Sequence, residues 1–575
     1  MNFLNSHRGY YFLILLFLYY LLPFASLFQD STKLGGYDWD QHLFYLEFLR
    51  KSHLEYDTIP FWNPYYGGGF PVFENPSSKV LSLTHLLTHF FDSLTSLKLI
   101  FIFYFLSSGI LNYFCISKLE KNKPIFSILF VIIFHFSGFF FQRLYVGHAN
   151  LFPAFFLPTF CLSFLLFVKS LQKKYAMIWI SVIYILLSEG AIYILTQGLF
   201  LVSFLAIPIL IKKKNLKITF LNLAVLFFLT GCITYIKWAP SFFFIQEYGR
   251  YFKPDLFTLQ PFDYYNLFIG SSQHPVLSKS IHQMQYNYWE YGNYIGFVPF
   301  FLLVCLPYWK LKRRSTLVLA IVTLLLMAGN FGLFSPIYFL EQLPIYSMER
   351  VHPRWSVSFV FLFSWFLSTN LQKTNTILKK LYPKLQIFFA YFILILIAVH
   401  SYDTKKINTK YVKEIFQNQF PEITKNPSNI PTTLSNPPSY GADSEMYPAL
   451  VQNYSSLSFY ENLNLYFRTN SPSDKDYLGE FWLFPDKVDV TPIFWSPDRV
   501  GFAKISKEKL LIFNQKYYRA FTSSNSNLIV CSWNGFLAVY SLTDTDDFEI
   551  FLDPFKSLFP FGIQTISCPS LRLPD

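Results

Sequence analysis

Over the first 400 residues, apolar runs of bilayer-spanning length alternate with short polar intervals. A helix crossing a bilayer needs about 20 apolar residues. Such runs can be drawn at 10–28 and near 97–116, 125–141, 151–168, 175–189, 191–211, 219–238, 293–309, 315–330, 355–370 and 385–400. The pattern therefore predicts an α-helical polytopic membrane protein of about eleven transmembrane helices. The run at 10–28 follows His7 and Arg8 and has no small-residue cleavage site, so it reads as an uncleaved anchor. Two places stay open. The runs flanking Ser188-Glu189-Gly190 are either two spans or one broken helix, and 331–345 is either a loop or a re-entrant segment.

Beyond residue 400 the hydropathy falls and the pattern changes. An Asn/Pro/Ser-rich linker (426–439) leads to "KVDVTPIFW", "NLIVCSW" and "GFLAVYSL", short β-type runs bounded by Asn, Gly, Ser and Asp. The predicted division is a transmembrane domain at 1–400, with a large first outer loop at 29–95, and an extracytoplasmic β-rich domain at 401–575. Cys115, Cys161, Cys232 and Cys305 fall in apolar runs and read as small fillers. Cys531 and Cys568 belong to the β-rich part, where an oxidising compartment would allow them to pair.

Charge sets the expected orientation. Lys118/Lys121/Lys123, Lys169/Lys173/Lys174, Lys212/Lys213/Lys214/Lys217, Lys310/Lys312/Arg313/Arg314 and Lys373/Lys379/Lys380/Lys384 all lie beside apolar runs. The positive-inside bias places these five clusters in the cytoplasm, with residue 1, and the intervening polar loops and the C-terminus outside. With 53% hydrophobic and only 14% charged residues, the chain has too little polar surface for a soluble globule of 575 residues. The net charge of +12 is accounted for by these short loops, so nucleic acid is not an expected partner.

The first outer loop carries the densest polar chemistry. In "GGYDWDQHLFYLEFLRKS", Leu43, Phe44, Leu46, Phe48 and Leu49 recur at near-helical spacing and predict an amphipathic helix at the membrane interface. Asp38 and Asp40 stand at its start. Either they cap the helix, with Gln41 completing a capping box from Asp38, or one is a catalytic or metal-binding carboxylate. Residues i and i+2 point to different sides of a helix, so one acid is expected to function and the other to support it. In "WNPYYGGGFP", Pro64, Pro71 and Gly67–Gly69 rule out a regular element. The glycines make either a structural turn or a close approach of amides to a phosphate or sugar.

These segments resemble a known family. The acidic pair, the short helix and "IPFWNPYYGGGFPVFENPSS" (59–78) are similar to the first outer loop of the bacterial YfhO-type membrane proteins, of the GT-C glycosyltransferase class. "FSGFFFQRLYVGHANLFPAFFLP" (136–158), "WEYGNYIGFVPF" (289–300), "LPIYSMERVHPRW" (343–355, with His352 displacing the motif), "LLIFNQKYYRAF" and "DPFKSLFPFGIQ" resemble later segments of that family in the same order.

The resemblance implies a GT-C-like fold and a glycosyltransferase in the bacterial cytoplasmic membrane. It would transfer a sugar from a polyprenyl-phosphate donor to a cell-envelope glycan, lipid or protein acceptor at the outer face. It implies Asp38 as general base with Asp40 as second choice; either would hold Mg²⁺ or Mn²⁺ if a divalent cation takes part. Arg350 and Arg354, joined by Arg143, are the expected phosphate partners, the alternative being snorkelling or pairing with Glu341 or Glu349. His148, Glu189, Glu290, Trp62 and Asn63 complete the expected substrate-binding set. No zinc-ligand spacing, Walker loop or dinucleotide fingerprint occurs. The alternative function is a non-catalytic flippase or exporter of lipid-linked glycans, which would favour mid-membrane charges and repeats.

Overall fold

The computed structural model describes residues 22–28, 33–248, 258–270, 272–276, 281, 284–343, 346–349, 351–421, 424–434, 446–457, 469–559 and 565–569. Arg350 and most of the predicted span at 10–28 lie outside these residues. The chain forms two compact units. One gathers residues 1–35, 97–233 and 252–417, the other 36–96, 234–251 and 418–575. The first outer loop thus belongs with the C-terminal part rather than with the helical domain the sequence assigned it to.

Among the described residues of the chain, six helices are long and apolar enough to cross a membrane: Ser93–Glu120, Pro124–Val146, Ala149–Ser170, Ile192–Leu210, Leu216–Phe244 and Pro383–Val412. The other predicted spans come out shorter or more polar. Lys173–Ser188 has 16 residues and Arg314–Met327 has 14. The expected span at 293–309 holds only the α-helix Val298–Leu303, which starts after Gly296 at φ +70° with Pro299 in its first turn and is followed by Pro307. Ser356–Leu381 is 26 residues long, but Asn, Gln, Thr and Lys fill its second half. The two runs around Glu189 are separate helices joined at Gly190, which takes φ +80°.

All five basic clusters meet at one end of the helical unit. Lys169 Nζ donates to Leu119 O (3.4 Å) and Lys213 Nζ to Lys169 O (3.0 Å). The backbone N–H of Lys123 donates to Gln372 Oε1 (2.6 Å), Lys312 N to Asn370 Oδ1 (2.8 Å), and Lys373 Nζ to Lys310 O. Arg313 pairs with Glu120 at 2.6 Å. These side chains supply acceptors and donors for loop backbone that would otherwise stay unsatisfied beside a bilayer. Helices that begin here, at Pro124 and Lys173, carry Arg143 and Glu189 to their far ends; Ser356–Leu381 runs the other way and begins beside Arg354.

In the second unit, strands of alternating apolar residues form two antiparallel sheets. The order is Phe521–Ser523, Thr545–Leu552, Arg499–Ile505, Phe494–Ser496 in one, and Leu528–Trp533, Phe536–Ser541, Leu510–Lys516, Phe481–Phe484, Val488–Asp489 in the other. Leu511 and Phe513 join Phe502, Phe548 and Ile550 in one buried cluster, while Leu510 and Ile512 join Trp482 and Ala538 in another. Leu510–Lys516 is therefore apolar on both faces, as its sequence LLIFNQK requires. Cys531 and Cys568 form a disulfide, with Cα atoms 5.0 Å apart.

Candidate functional site

Glu290 gathers the charged residues of the helical unit. Gly138 opens the helix Gly138–Val146 with its amide on Tyr294 O (2.7 Å), and any Cβ there would sit 2.6 Å from Tyr294 N. Asn293 Oδ1 accepts from Phe139 N at 3.2 Å. The segment that carries Glu290 is thereby clamped against the helix that carries Arg143. Arg143 donates from Nη2 to Glu290 O (3.1 Å) and from Nη1 to Trp289 O, and meets the Glu290 carboxylate at 3.0 Å.

From the turn His352–Trp355, Arg354 reaches the same carboxylate through Nε at 2.9 Å and Nη2 at 2.6 Å, a two-point grip. Gly147, at φ +75°, turns the chain so that His148 Nε2 comes within 3.8 Å of Glu290. Arg143 is 1% exposed and Glu290 6%. Burial alone would push the Glu290 carboxyl up, but Arg143, Arg354 and His148 hold it well below the usual carboxylate range.

Four of the expected site residues are thus brought together: Arg143, His148, Glu290 and Arg354. Of the two expected alternative partners of Arg354, Glu341 faces His352 at 3.0 Å, while Glu349 feels the Arg354 charge but accepts its hydrogen bonds from Thr196 Oγ1 and, at 3.0 Å, from Trp355 Nε1. Glu189 is buried at the end of Lys173–Ser188 and accepts from the Tyr104 hydroxyl at 2.7 Å.

Glu349 was legible only as an ion-pair option, yet it is a buried carboxyl five residues from Arg354. Burial raises it to about 7, against the lowering effect of the Thr196 and Trp355 hydrogen bonds. The Arg354 guanidinium also lies over the Tyr193 ring, 4.9 Å from its centroid. An apolar groove of about 490 Å³ is lined by Leu199, Phe200, Phe204, Leu326, Phe339 and Tyr346, and Phe200 meets the Trp355 ring edge to face at 5.3 Å. Tyr346 donates its hydroxyl to Thr196 O at 2.9 Å, which ties the groove to the residue that holds Glu349.

In the second unit the acidic pair divides. Asp40 is fully buried and accepts from the backbone N–H of Met446 (2.9 Å) and Tyr447 (3.0 Å), the first residues of the helix Met446–Val451. It caps a helix four hundred residues away, and both its oxygens are engaged. Asp38 is half-buried and is the first residue of Asp38–Tyr56; the N-cap is Tyr37, at φ 59°, with no side-chain cap bond. The expected capping box does not form, because the N-cap is Tyr37 rather than Asp38; Gln41 Nε2 donates to Tyr45 Oη at 3.3 Å.

Asp38–Tyr56 is packed into protein on several sides. Trp39, Leu43, Phe44, Leu46, Phe48 and Leu49 are all buried, and Phe44, Phe48 and Leu49 share a core with Tyr65, Tyr66, Phe70 and Phe73. Among the described residues, no group of three or more His, Cys, Asp or Glu side chains is placed to hold a metal ion.

The glycine run is a structural turn. Gly67, Gly68 and Gly69 take φ of 53°, 77° and 104°; Gly67 N donates to Ser456 O at 2.8 Å and Gly69 N to Tyr66 O at 2.8 Å. A Cβ on Gly69 would lie 2.2 Å from the Trp62 ring. Trp62 is a core residue, 1% exposed, stacked on Tyr518 with its indole N–H on Gln515 at 3.0 Å, and Asn63 closes a local turn on Tyr65 N at 3.0 Å. The expected substrate contacts at Trp62 and Asn63 are therefore replaced by packing and turn roles. Lys237, which no motif marked, is buried with Nζ on Asn75 O, Ser78 O and Ser78 Oγ at 2.8–3.1 Å.

No known family's sequence profile matches the chain, and no curated protein matches it. Among solved structures it is similar to the arabinofuranosyltransferase AftD from Mycobacteria, with TM-score 0.39 and 11% identity over 73% of this chain and 28% of that one. It is also similar to the archaeal oligosaccharyltransferase AglB from Archaeoglobus fulgidus, solved with an inhibitory peptide and a dolichol-phosphate, with TM-score 0.41 and 13% identity over 79% of this chain and 65% of that one. The chain spans less than a third of AftD and just under two thirds of AglB.

Proposed function

We propose that the protein is an integral membrane glycosyltransferase of the GT-C type, transferring a sugar from a polyprenyl-phosphate donor to a cell-envelope acceptor at the outer face of a bacterial cytoplasmic membrane. The observation that carries this reading is the apolar groove of about 490 Å³ whose wall residue Tyr346 is bonded to Thr196, the residue that holds Glu349, in the same helical unit as the Arg143–Glu290–Arg354 cluster. An apolar chain and an anionic head are the two halves of a lipid phosphate, and the groove and the guanidinium suit one each. Arg354 and Arg350 receive the phosphate; Arg143 and Glu290 fix the Arg354 fork. The Cys531–Cys568 disulfide and the gathering of the basic clusters at one end support an outward-facing β-rich part.

The chemistry asks little of the protein beyond position and charge. The acceptor hydroxyl attacks the anomeric carbon, its proton passes to a carboxylate, and the bond to the phosphate oxygen breaks with both electrons leaving on that oxygen. Phosphate needs no general acid, so one base suffices. Asp38 takes that role in this reading, since Asp40 is committed to the helix Met446–Val451. Developing charge on the departing phosphate is met by the guanidinium groups.

The test is sugar transfer by the purified protein in nanodiscs, from a panel of polyprenyl-phosphate sugars to envelope extracts. Protein-dependent transfer from one donor is expected. Absence of transfer from every donor, together with movement of a lipid-linked glycan across sealed vesicles, would establish the exporter instead.

A further inference from the structure

A cleft of about 560 Å³ opens in the second unit, away from the acidic pair's own contacts, lined by Lys51, Tyr56, Lys425, Ser428, Asn429 and Trp495 among others. Its walls are built rather than accidental. Asn453 Oδ1 accepts from Lys51 Nζ (2.9 Å) and Tyr65 Oη (2.8 Å), and Asn453 Nδ2 donates to Ser428 O (2.8 Å). Asn426 Nδ2 donates to Ile430 O (3.1 Å) and to Asn453 O (3.0 Å), and Asn426 Oδ1 accepts from Ser428 N (3.0 Å). The loop at 425–429 is therefore held against the helix Asp38–Tyr56 by side-chain amides, with Lys425, Ser428 and Asn429 exposed and Asn426 buried as an anchor.

Two features give the cleft a chemical preference. Tyr56 and Trp495, both half-buried, meet edge to face with centroids 5.7 Å apart and offer an aromatic corner. Such surfaces suit ligands with an apolar C–H face and a hydroxylated rim, because ring and rim each find a partner. The charges are unequal: Lys51 and Lys425 stand against Glu55, which lies 3.6 Å from Lys51. An excess of one cation beside amides and hydroxyls suits a carboxylate or phosphate on the same ligand. A duplex or single-stranded nucleic acid would need a longer basic track than two lysines provide.

We infer that this cleft binds an anionic saccharide, one whose sugar rings carry carboxylate or phosphate groups. Calling that saccharide the acceptor rests on the transferase reading; the binding itself does not. A cleft held by backbone-anchored amides needs little reordering on binding, which favours a modest but specific grip on one or two rings.

The full-length protein in nanodiscs, without donor lipid, is titrated calorimetrically with three probes: tetragalacturonate, mannopentaose 6-phosphate and neutral maltotetraose. At least one acidic probe should bind saturably and about tenfold or more tighter than maltotetraose, the better of the two identifying the anion. Trp495→Ala should weaken it about tenfold. Lys425→Glu, at an exposed position with no packing role, should weaken the acidic probe and leave maltotetraose unchanged. Equal affinity for acidic and neutral probes, no saturable binding, or affinity indifferent to Lys425→Glu would overturn the inference. Binding without sugar transfer would leave the site standing and remove the transferase reading; transfer without binding would do the reverse.

Discussion

Glu290 holds Arg354 in a two-point grip, with Oε2 on Nε at 2.9 Å and Oε1 on Nη2 at 2.6 Å, while Arg143 reaches the same carboxylate at 3.0 Å. One buried anion therefore ties together three segments that are far apart in sequence. Removing one partner of a buried ion pair costs about 3–5 kcal/mol, because the remaining charges stay desolvated without compensation. Glu290→Gln leaves two guanidinium groups in that state, so the thermal unfolding transition in detergent should fall by several degrees. Its folded carboxyl is depressed, so its stabilisation is present above the ordinary carboxylate range and is lost only as pH falls through the lower folded value. The deficit of the variant should accordingly be flat between pH 6 and 8. A wild-type melting profile would show that the cluster contributes nothing to stability.

Glu349 should behave in the opposite way. Its pKa is raised from 4.5 to about 7 by burial, so its stabilising protonated form is fully present below about 4.5 and is lost as pH rises through about 7. The shift corresponds to roughly 3 kcal/mol across that window, at about 1.4 kcal/mol per unit. Glu349→Gln stays neutral throughout and keeps a carbonyl acceptor for Thr196 or Trp355. Wild type should lose stability relative to this variant between pH 5 and pH 8, measured as parallel melts at the two values. A difference that does not vary with pH would mean that Glu349 does not titrate in this range.

The two carboxyls also show where the sequence was readable. Apolar runs and flanking lysines predicted a multi-pass helical protein, and the lysine clusters do meet at one end, because short loops beside helix ends leave them nowhere else to go. Arg143, His148, Glu290 and Arg354 were each singled out by type and position. Their convergence on one carboxylate was not legible, since nothing local couples residue 143 to 290 or 354. Asp40 was read as a local cap or a catalytic group, and its true partners are amides at 446 and 447, a purely tertiary fact. The helix Asp38–Tyr56 looked amphipathic because Gln41, Glu47, Arg50 and Lys51 interrupt its apolar residues. Packing on several sides buries it regardless.

The shared end of the basic clusters makes a prediction about access. Single cysteines placed at 121, 212 and 312, in a background lacking Cys115, Cys161, Cys232 and Cys305, should all react with an impermeant maleimide from the same side of sealed vesicles. Cysteines at 425 or 507 should react only from the other side. Mixed labelling among the first three positions would contradict a common end for the loops.

The acidic pair gives the sharpest separation of structure from chemistry. Asp40 donates no proton to its neighbours; it accepts from Met446 N and Tyr447 N at the start of a helix, where a negative charge is favoured. Asp40→Asn keeps one acceptor and loses the charge, so it should cost about 1–2 kcal/mol of stability. Any loss of activity should then follow the loss of folded protein. Asp38 is half-buried in the first turn of Asp38–Tyr56, and Asn keeps its size and a carbonyl acceptor, so Asp38→Asn should leave the melting transition within a degree or two. If Asp38 takes the acceptor proton, the same change should lower transfer from the polyprenyl-phosphate donor about a hundredfold, the range of general-base catalysis. Donor binding should be unaffected, because the base acts on the acceptor rather than on the phosphate. Transfer and melting measured side by side on the two variants distinguish the roles: a folded, fully active Asp38→Asn protein would remove Asp38 as the base.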